Sequence, residues 1–384
     1  MMAASPVQRF RVFCVTCVAA AAVSGCVQTV PGDLVEAVEA LDRELATTRA
    51  AEFAPDEYSR FARHWVAFKA KLAAEEETIR WPWEPNRLET ELRTLQEEGT
   101  WAKKEAERNR EALRAKAETR VDRVERRLRD FQVRVNEIEG RAVLGARSVE
   151  AELLVRQARS FLENGQYDRS LEAAAQASKS LVDQVAALNS ALGRYADAER
   201  INIWRRMVRQ TIEWSRTHRA PAIVVSKADR ILILYKNGRK VLSYPVRLGY
   251  NGMLEKRFQG DGATPEGRYR IVKKRGEGQT QFYRALQLDY PNADDRRRFR
   301  SARRAGDFPT EKGIGGLIEI HGIDNPFMNQ TLGCIMLENP QMEALYNRVE
   351  TGTPVTIVGA LDVENSVSLV LADLEGSQNP EEET

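Results

Sequence analysis

Residues 222–249 read AIVVSKADRILILYKNGRKVLSYPVRLG. In this stretch two apolar, β-branched runs flank Asn237-Gly238. Asn-Gly between such runs is a strong signal for a two-residue hairpin turn, because both turn residues take a positive φ, which Asn and Gly tolerate. The stretch therefore predicts a β-hairpin, and with it a change from helix to sheet at about residue 221.

Further turn and strand signals continue from this hairpin to about residue 360. Thr264-Pro265-Glu266-Gly267 predicts a turn, and Arg268–Lys273 predicts the strand after it. Leu317–His321 predicts another strand, which ends at a histidine, and Pro354–Val358 predicts a closing strand. We therefore expect a mostly β domain over residues 219–360.

The chain before this domain has the composition of helices. Residues 33–215 are rich in Ala, Glu, Arg, Leu and Gln and lack the alternation of apolar and polar residues that marks strands. Residues 86–139 predict one long helix, and Asn164-Gly165 predicts a turn between two further helices. The long helix carries an apolar seam at spacings of three and four, typical of coiled-coil packing: Val121, Val124, Leu128, Phe131, Val135 and Ile138. The predicted fold class is an all-α region over residues 26–218, a bundle of coiled-coil-like hairpins, followed by the mostly β domain.

The N-terminus has the order of residues typical of a secretory signal peptide. Arg9 and Arg11 precede the apolar run Val12–Val23, and small residues follow it. The run is shorter than the about 20 apolar residues that span a bilayer. Residues 23–26, VSGC, resemble a bacterial lipobox, which implies removal of residues 1–25 and lipidation of Cys26. Ordinary cleavage nearby, which would leave a free secreted thiol, is the alternative.

The lipobox resemblance implies a lipoprotein of the cell envelope that faces the periplasm and is held to a membrane by its N-terminal lipid. Val27 stands where an aspartate retains lipoproteins in the inner membrane of enterobacteria, so we expect the outer membrane. Residues 26–218 would then be a spacer or interaction domain that binds another envelope protein or self-associates. The acidic end of the chain has few apolar side chains, so we expect residues 361–384 to be a partly disordered tail.

Charge and cysteine content limit the remaining classes of function. The 384 residues have a formal charge of +2, and cleavage before Cys26 removes two arginines and no acid, so the mature chain is neutral. A neutral chain has no general attraction to nucleic acid. Cys14 and Cys17 leave with the signal peptide and Cys26 takes the lipid, which leaves Cys334 as the single free thiol. A single thiol excludes a four-thiolate zinc site, and without a metal or nucleotide motif we expect no cofactor.

The free thiol lies in HGIDNPFMNQTLGCIMLE, residues 321–338, thirteen residues after His321. A cysteine nucleophile needs a base within reach and donors for the developing oxyanion. His321 can serve as the base, and Gly333 lets the chain turn tightly before Cys334. The amides of Leu332, Gly333 and Cys334 are candidate oxyanion donors. Pairing with imidazolium would lower the pKa of the thiol below its free value of about 8.5. The alternative is a small buried cysteine and a histidine whose hydrogen bonds are satisfied at a strand end.

The motifs HG, TLGC and TPEGRY together resemble the catalytic domain of the YkuD-type L,D-transpeptidases. They stand at His321-Gly322, Thr331–Cys334 and Thr264–Tyr269, and the Asn-Gly hairpin is similar to the opening of that domain. The resemblance covers residues 221–360 and none of the helical region. Tyr290-Pro291-Asn292, with the arginine-rich segment after it, is similar to the subgroup that contains murein-trimming and protein-releasing enzymes.

The resemblance implies a cysteine-dependent enzyme that acts on the stem peptides of peptidoglycan. Cys334 would be the acylated nucleophile and His321 the general base. The Gly322 carbonyl would orient the imidazole, and Thr331 would hold the turn. The acyl group of a tetrapeptide, released at the bond between its third and fourth residues, would pass to an amine and form a 3-3 crosslink or attach an envelope protein. Transfer to water, which gives a carboxypeptidase or releases an attached protein, is the alternative.

Two positions depart from the family's pattern. Leu332 stands where the family usually has a histidine, and Met336 where it usually has an arginine. Arg268, Arg270 or the arginines of residues 296–304 are candidates to replace that arginine, and a solvated helix face is the alternative explanation of the last group. A further alternative, from another class of function, is a lipid-anchored envelope scaffold with an inactive domain.

Overall fold

The computed structural model describes residues 31–74, 86–323 and 330–377. The predicted signal peptide and Cys26 lie outside these ranges. The chain divides into two compact units, Met1–Thr119 and Arg120–Thr384. Across the described residues, no helix combines the length and the apolar character needed to cross a membrane.

The first unit is helical and packs around aromatic side chains. Its helices are α1 (Gly32–Thr47), α2 (Ala50–Phe53), α3 (Pro55–Ala74) and the first part of α4 (Arg87–Glu137). Phe61, Trp65 and Phe68 recur along α3 at helical spacing and are buried. A Cβ added at Gly99 of α4 would lie 2.4 Å from the side chain of Leu41 in α1, so these two helices meet closely at that glycine.

The second unit begins within α4 and contains four more helices before its sheet. These are α5 (Arg141–Leu144), α6 (Glu150–Glu163), α7 (Tyr167–Leu192) and α8 (Ala198–His218), with short 3-10 turns at Gly145–Val149 and Gly193–Tyr195. The long helix and the hairpin around Gly165 occur where the sequence predicts them. The α4 seam from Val121 to Ile138 is buried in one hydrophobic core with α6 and α7, so the seam packs within the chain.

Eight strands form a curled sheet. They are β1 (Pro221–Ser226), β2 (Ile231–Lys236), β3 (Arg239–Pro245), β4 (Gly267–Arg275), β5 (Ala285–Leu288), β6 (Glu319–His321), β7 (Ile335–Met336) and β8 (Pro354–Val358), in the order β3-β2-β1-β8-β4-β5-β6-β7. Helix α9 (Ala293–Ala305) lies between β5 and β6 in the chain, and α10 (Asn339–Tyr346) between β7 and β8. Asn237 and Gly238 form the predicted turn, with φ of 55° and 73°. Bridges Arg247–Met336 and Gly249–Thr331 join the segment after β3 to the β7 edge, so the two edges of the sheet meet.

Different parts of the chain bury the two faces of the sheet. One face encloses a core of its own, which includes Ile223 and Ile320. The other face contributes Val224 to the core that contains the α4 seam, α7 and α8. Trp204 of α8 lies against Gly359, where an added Cβ would be 2.1 Å from the indole. The helices after residue 120 therefore form one layer of the unit that contains the sheet.

Because of this shared core, the boundary between the two compact units differs from the domain boundary at residues 218–219 that the sequence predicts. The change from helix to strand falls between His218 and Pro221, as predicted, but the compact division falls between Thr119 and Arg120. An amphipathic pattern shows that a helix buries one face and does not show which surface covers it. The sequence pattern therefore located the change in secondary structure and missed the shared core.

The described part of the tail that the sequence predicts to be partly disordered contains a helix. Helix α11 (Ser366–Gly376) begins with a capping box at Asn365, and its buried side chains at helical spacing are Val367, Val370, Leu371 and Leu374. These side chains join the core shared with α7 and α8.

Replacing Trp204 by alanine should lower the free energy of unfolding by about 3–5 kcal/mol, because a cavity would remain between α8 and Gly359. The matched control is Ile203→Ala, since Ile203 is 40% exposed and a surface change of this kind costs about 0.5 kcal/mol or less. Denaturant unfolding followed by circular dichroism measures both. Equal losses in the two variants would mean that α8 does not share a core with the sheet.

Candidate active site

The closing edge of the sheet places His321 and Cys334 on one face. Ile320 of β6 pairs with Ile335 of β7 in parallel register, and both side chains point into the core inside the curl. Successive residues of a strand point to opposite faces. His321 therefore points out of this core together with Met336, its register partner, and with Cys334, two residues before Met336. Cys334 thus lies next to the strand that pairs with the strand of His321.

The His321 ring is held in a single orientation. It is 1% exposed and stacks on Phe282, with ring centroids 3.6 Å apart and planes at 13°. Its Nδ1 donates to the carbonyl oxygen of Gly322 at 2.8 Å, the contact expected from the sequence. The proton on Nδ1 leaves the lone pair on Nε2, and Nε2 is buried with no hydrogen-bond partner among the described residues, Cys334 included.

Gly322 is confined on both sides, which fixes the carbonyl that holds the imidazole. A Cβ at this position would lie 2.6 Å from Oδ1 of Asn339 and 3.1 Å from the Cβ of Tyr283. Asn339 Oδ1 also accepts from the amide of Ile323 at 2.7 Å. A larger residue at 322 would therefore displace the backbone that orients His321.

Cys334 follows a turn that only glycine can make without strain. Gly333 has φ of 129°, and a Cβ there would lie 2.8 Å from the carbonyl oxygen of Ala263. The Thr331 hydroxyl donates to the Cys334 carbonyl at 2.7 Å and accepts from the Gly333 amide at 3.2 Å. These two bonds hold the turn from which the thiol projects.

The surroundings of the thiol favour its neutral form. Sγ of the partly exposed Cys334 donates to the Leu317 carbonyl at 3.6 Å. Burial of the sulfur raises the pKa of the Cys334 thiol to about 11. The Glu319 carboxylate also raises this pKa, whereas a backbone hydrogen bond from Glu319 and the Lys256 ammonium lower it. Burial also lowers the pKa of His321, against the effect of its bond to Gly322. The prediction of a lowered thiol pKa is therefore wrong, because burial favours the neutral form of both the thiol and the imidazole.

Residues 220–357 match the family model of the YkuD L,D-transpeptidase catalytic domain. These residues are an L,D-transpeptidase catalytic domain. Solved structures that the chain matches include L,D-transpeptidase 1 of Mycobacterium tuberculosis, with 16% identity over 36% of this chain and 62% of that chain and a TM-score of 0.24. A mutant of the Enterococcus faecium L,D-transpeptidase has 17% identity over 36% and 49%, with a TM-score of 0.24. The Xylanimonas cellulosilytica enzyme has 19% identity over 36% and 60%, with a TM-score of 0.23.

The chain spans between 49% and 62% of the lengths of these three structures. With TM-scores of 0.23 and 0.24, these three likenesses support no inference about this chain. No protein of curated function matches the chain significantly.

One expected oxyanion donor of the L,D-transpeptidase domain is engaged within the protein. The Gly333 amide donates to Oγ1 of Thr331, so it is not directed at a substrate in this structure, contrary to expectation. The amides of Leu332 and Cys334 stay the predicted donors. The Leu332 side chain, which replaces the family's histidine, is 76% exposed and lies at the surface beside the thiol turn.

Position 336, where the L,D-transpeptidase family usually has an arginine, is a methionine in this chain, and a different arginine, Arg247, pairs with it. Met336 is 2% exposed, and Arg247 pairs with it through two backbone hydrogen bonds of 2.9 and 2.8 Å. The half-exposed Arg247 guanidinium contacts Glu338 at 3.0 Å. The candidates drawn from the sequence are engaged elsewhere: Arg268 donates to Gln210 and Arg270 to the Gly352 carbonyl.

The arginine cluster of residues 296–304 lies on α9, outside the thiol's contacts. The helix begins with a capping box at Asn292, and Arg297 pairs with Asp294 on its exposed surface. Most of its arginine side chains are exposed. This placement agrees with the solvated helix face that the sequence left open as an alternative.

Three residues at the site carry no signal in the sequence motifs: Phe282, Leu317 and Arg247. Phe282 stacks on His321, and Leu317 faces the thiol with its carbonyl from a left-handed backbone conformation, φ 55°. Arg247 reaches the site through the bridge that closes the sheet. All three depend on contacts between distant segments, so spacing along the chain could not reveal them.

The rate of Cys334 alkylation by iodoacetamide should rise about tenfold per pH unit between about pH 7 and pH 10, because the thiolate is the nucleophile and the thiol pKa is raised to about 11. His321→Gln should keep this slope, since no imidazolium stabilises the thiolate of the free enzyme. Mass spectrometry of the peptide that contains Cys334 measures the rate. A rate that levels off below about pH 8 in the wild type and not in His321→Gln would show an ion pair instead.

Proposed function

We propose that this protein is a peptidoglycan-modifying L,D-transpeptidase in which Cys334 is the acylated nucleophile and His321 the general base. The observation that carries this proposal is the orientation of His321. Its Nδ1 is held by the Gly322 carbonyl, and its Nε2 lone pair is free of hydrogen bonds within the described chain, on the face of the sheet that bears the thiol. A base held in this way can take the thiol proton as the sulfur attacks.

The proposed substrate is a stem tetrapeptide, cleaved between the diamino acid at position three and D-alanine at position four. A groove of about 160 Å³, lined in part by Arg247, Ile323, Met336 and Glu338, adjoins the His321-Gly322 segment. Arg247 and Glu338 form an exposed ion pair there. Such a pair can exchange its partners for the carboxylate and the ammonium of a zwitterionic diamino acid.

In the first half-reaction the sulfur of Cys334 attacks the carbonyl carbon of the peptide bond while its proton passes to Nε2 of His321. The amides of Leu332 and Cys334 donate to the oxyanion. When the tetrahedral intermediate collapses, the C–N bond breaks and His321 returns the proton to the amine of D-alanine. The products are a thioester on Cys334 and free D-alanine.

In the second half-reaction an amine attacks the thioester and gives its proton to Nε2. The new amide forms, the C–S bond breaks, and the thiolate recovers the proton from His321. The amine belongs to a second stem peptide, which gives a 3-3 crosslink, or to an envelope protein, which becomes attached to the wall. Water in place of the amine gives carboxypeptidase activity or release of an attached protein.

Incubation of the purified protein with a disaccharide-tetrapeptide should yield a crosslinked dimer and D-alanine, both identified by mass spectrometry. Cys334→Ala should reduce product formation by at least about 1,000-fold, and His321→Gln by about 100- to 10,000-fold, because these changes remove the nucleophile and the base. Val272→Ala, on an exposed position of β4, is the control for substitution in the same domain.

The products separate the alternatives. If trimmed monomers are the sole product, amine transfer is rejected and the hydrolase is supported. If Cys334→Ala no longer forms them, Cys334 is still supported as the nucleophile. Unchanged activity in Cys334→Ala would reject the proposed mechanism. Three results together would favour the scaffold. The purified protein would show no activity, cells with Cys334→Ala would have a wild-type phenotype, and deletion of the first unit would make the envelope fail.

We also propose that the protein is a periplasm-facing lipoprotein of the outer membrane, anchored through Cys26. Arg9, Arg11 and the apolar run before VSGC support this. Labelled palmitate should enter the wild type, and Cys26→Ser should lose the label and leave the membrane fraction. A wild type without label would reject the anchor. The first unit is the candidate region for binding another envelope protein.

A further inference from the structure

We infer that Arg194, which lies outside the L,D-transpeptidase domain match, is a positioning residue for the Cys334 turn and acts through a buried ion network. The inference rests on the proposed function in taking Cys334 as the reacting group. It gives a residue of the helical region a role in positioning the reacting group, although that region lies outside the domain match of residues 220–357.

The centre of the network is Glu266, whose two carboxylate oxygens receive different cations. Lys227 Nζ, with a side chain that is 0% exposed, donates to Oε1 at 2.8 Å. Arg194 Nη1 donates to Oε2 at 2.8 Å from the 3-10 turn between α7 and α8. Glu266 belongs to the TPEG turn of the catalytic domain. One carboxylate therefore joins a helical segment to the sheet domain.

Both cations also hold the backbone of the segment that leads to this turn, residues 253–266. Lys227 Nζ donates to the carbonyls of Leu254 at 2.8 Å and Thr264 at 3.0 Å. Arg194 Nη2 donates to the carbonyl of Met253 at 2.6 Å. The two ends of the segment are thus tied to the same pair of side chains.

The segment 253–266 lies directly against the turn that carries the thiol. A Cβ on Gly333 would lie 2.8 Å from the carbonyl oxygen of Ala263. A Cβ on Gly249 would lie 2.0 Å from the carbonyl oxygen of Gly262 and 2.8 Å from the Cα of Gly333. The Gly249 amide donates to Oγ1 of Thr264 at 3.1 Å. With backbones this close, a shift of the segment moves Gly333, and Cys334 with it.

Charge explains why the network stays formed. Burial opposes ionisation of Glu266, but Lys227 and Arg194 outweigh it and lower the pKa of Glu266 to about 2. Burial lowers the pKa of Lys227 to about 8, with Glu266 opposing the fall. Arg194 differs from Lys227 in geometry, because its planar fork reaches the carboxylate and the Met253 carbonyl together.

Arg194→Met separates positioning from folding. Lys227 still neutralises Glu266 in this variant, so we expect a folded protein. The rate of Cys334 acylation by imipenem, which needs the base and the oxyanion donors in place, should fall about tenfold to a hundredfold. The rate of alkylation by iodoacetamide, which needs only the thiolate, should stay within about twofold of the wild type.

Arg205→Met is the matched control. Arg205 of α8 also joins a helix to the chain after β8, through the Leu361 carbonyl at 3.0 Å and the Asp362 carboxylate, but these contacts lie outside residues 253–266. We expect wild-type acylation in this variant. Arg194→Lys keeps a charge opposite Glu266 and loses the fork, so its acylation rate should be intermediate. This variant decides the question if Arg194→Met does not fold.

Wild-type acylation in Arg194→Met, or in Arg194→Lys where only that variant folds, would overturn the inference. An equal loss in Arg205→Met, or a parallel change in alkylation, would also overturn it, because either would indicate a general loss of structure. Absence of imipenem acylation in the wild type is a different result, which counts against the proposed nucleophile itself and removes the role of Arg194 with it.

Discussion

The parallel pairing of Ile320 with Ile335 is the constraint on which the candidate site depends. Both isoleucines are fully buried inside the curl, and each contributes about 1.5–3 kcal/mol through burial. A slip of β7 by one residue would turn Ile335 outwards and bring Met336 into the core. The apolar core thus determines that the imidazole and the thiol share a face, so the energetics of folding place the groups proposed to react.

The same burial determines the chemical state of the free enzyme. A desolvated sulfur and a desolvated imidazole both favour their neutral forms. In the proposed mechanism, activation takes place in the substrate complex, where the attacking thiol passes its proton to Nε2 of His321. A neutral thiol is also slow to oxidise, since oxidation follows thiolate character. If Cys334 is the nucleophile, as proposed, burial protects its sulfur from oxidation until a substrate binds.

The helices after residue 120 and the sheet behave as one body in physical terms. They share an apolar core through Val224 and Trp204, and they share a charged centre at Glu266. A buried ion pair is poor evidence of stability by itself, because desolvation offsets the attraction. At Glu266 the specific directions of the hydrogen bonds matter more, since they locate a backbone segment that touches the thiol turn.

The sequence by itself determined the features that depend on neighbours along the chain. The Asn-Gly hairpin, the long helix, the HG and TLGC motifs and the histidine at the end of a strand all follow from local spacing and turn chemistry, and the structure has each of them. Only the tertiary structure decided the pKa of Cys334, the cation beside Met336, the stacking of Phe282 on His321 and the joining of α8 to the sheet. Each of these depends on burial or on the register between segments that are far apart in the chain. Such contacts are selected by the packing of the whole unit, and no local pattern of residues encodes them.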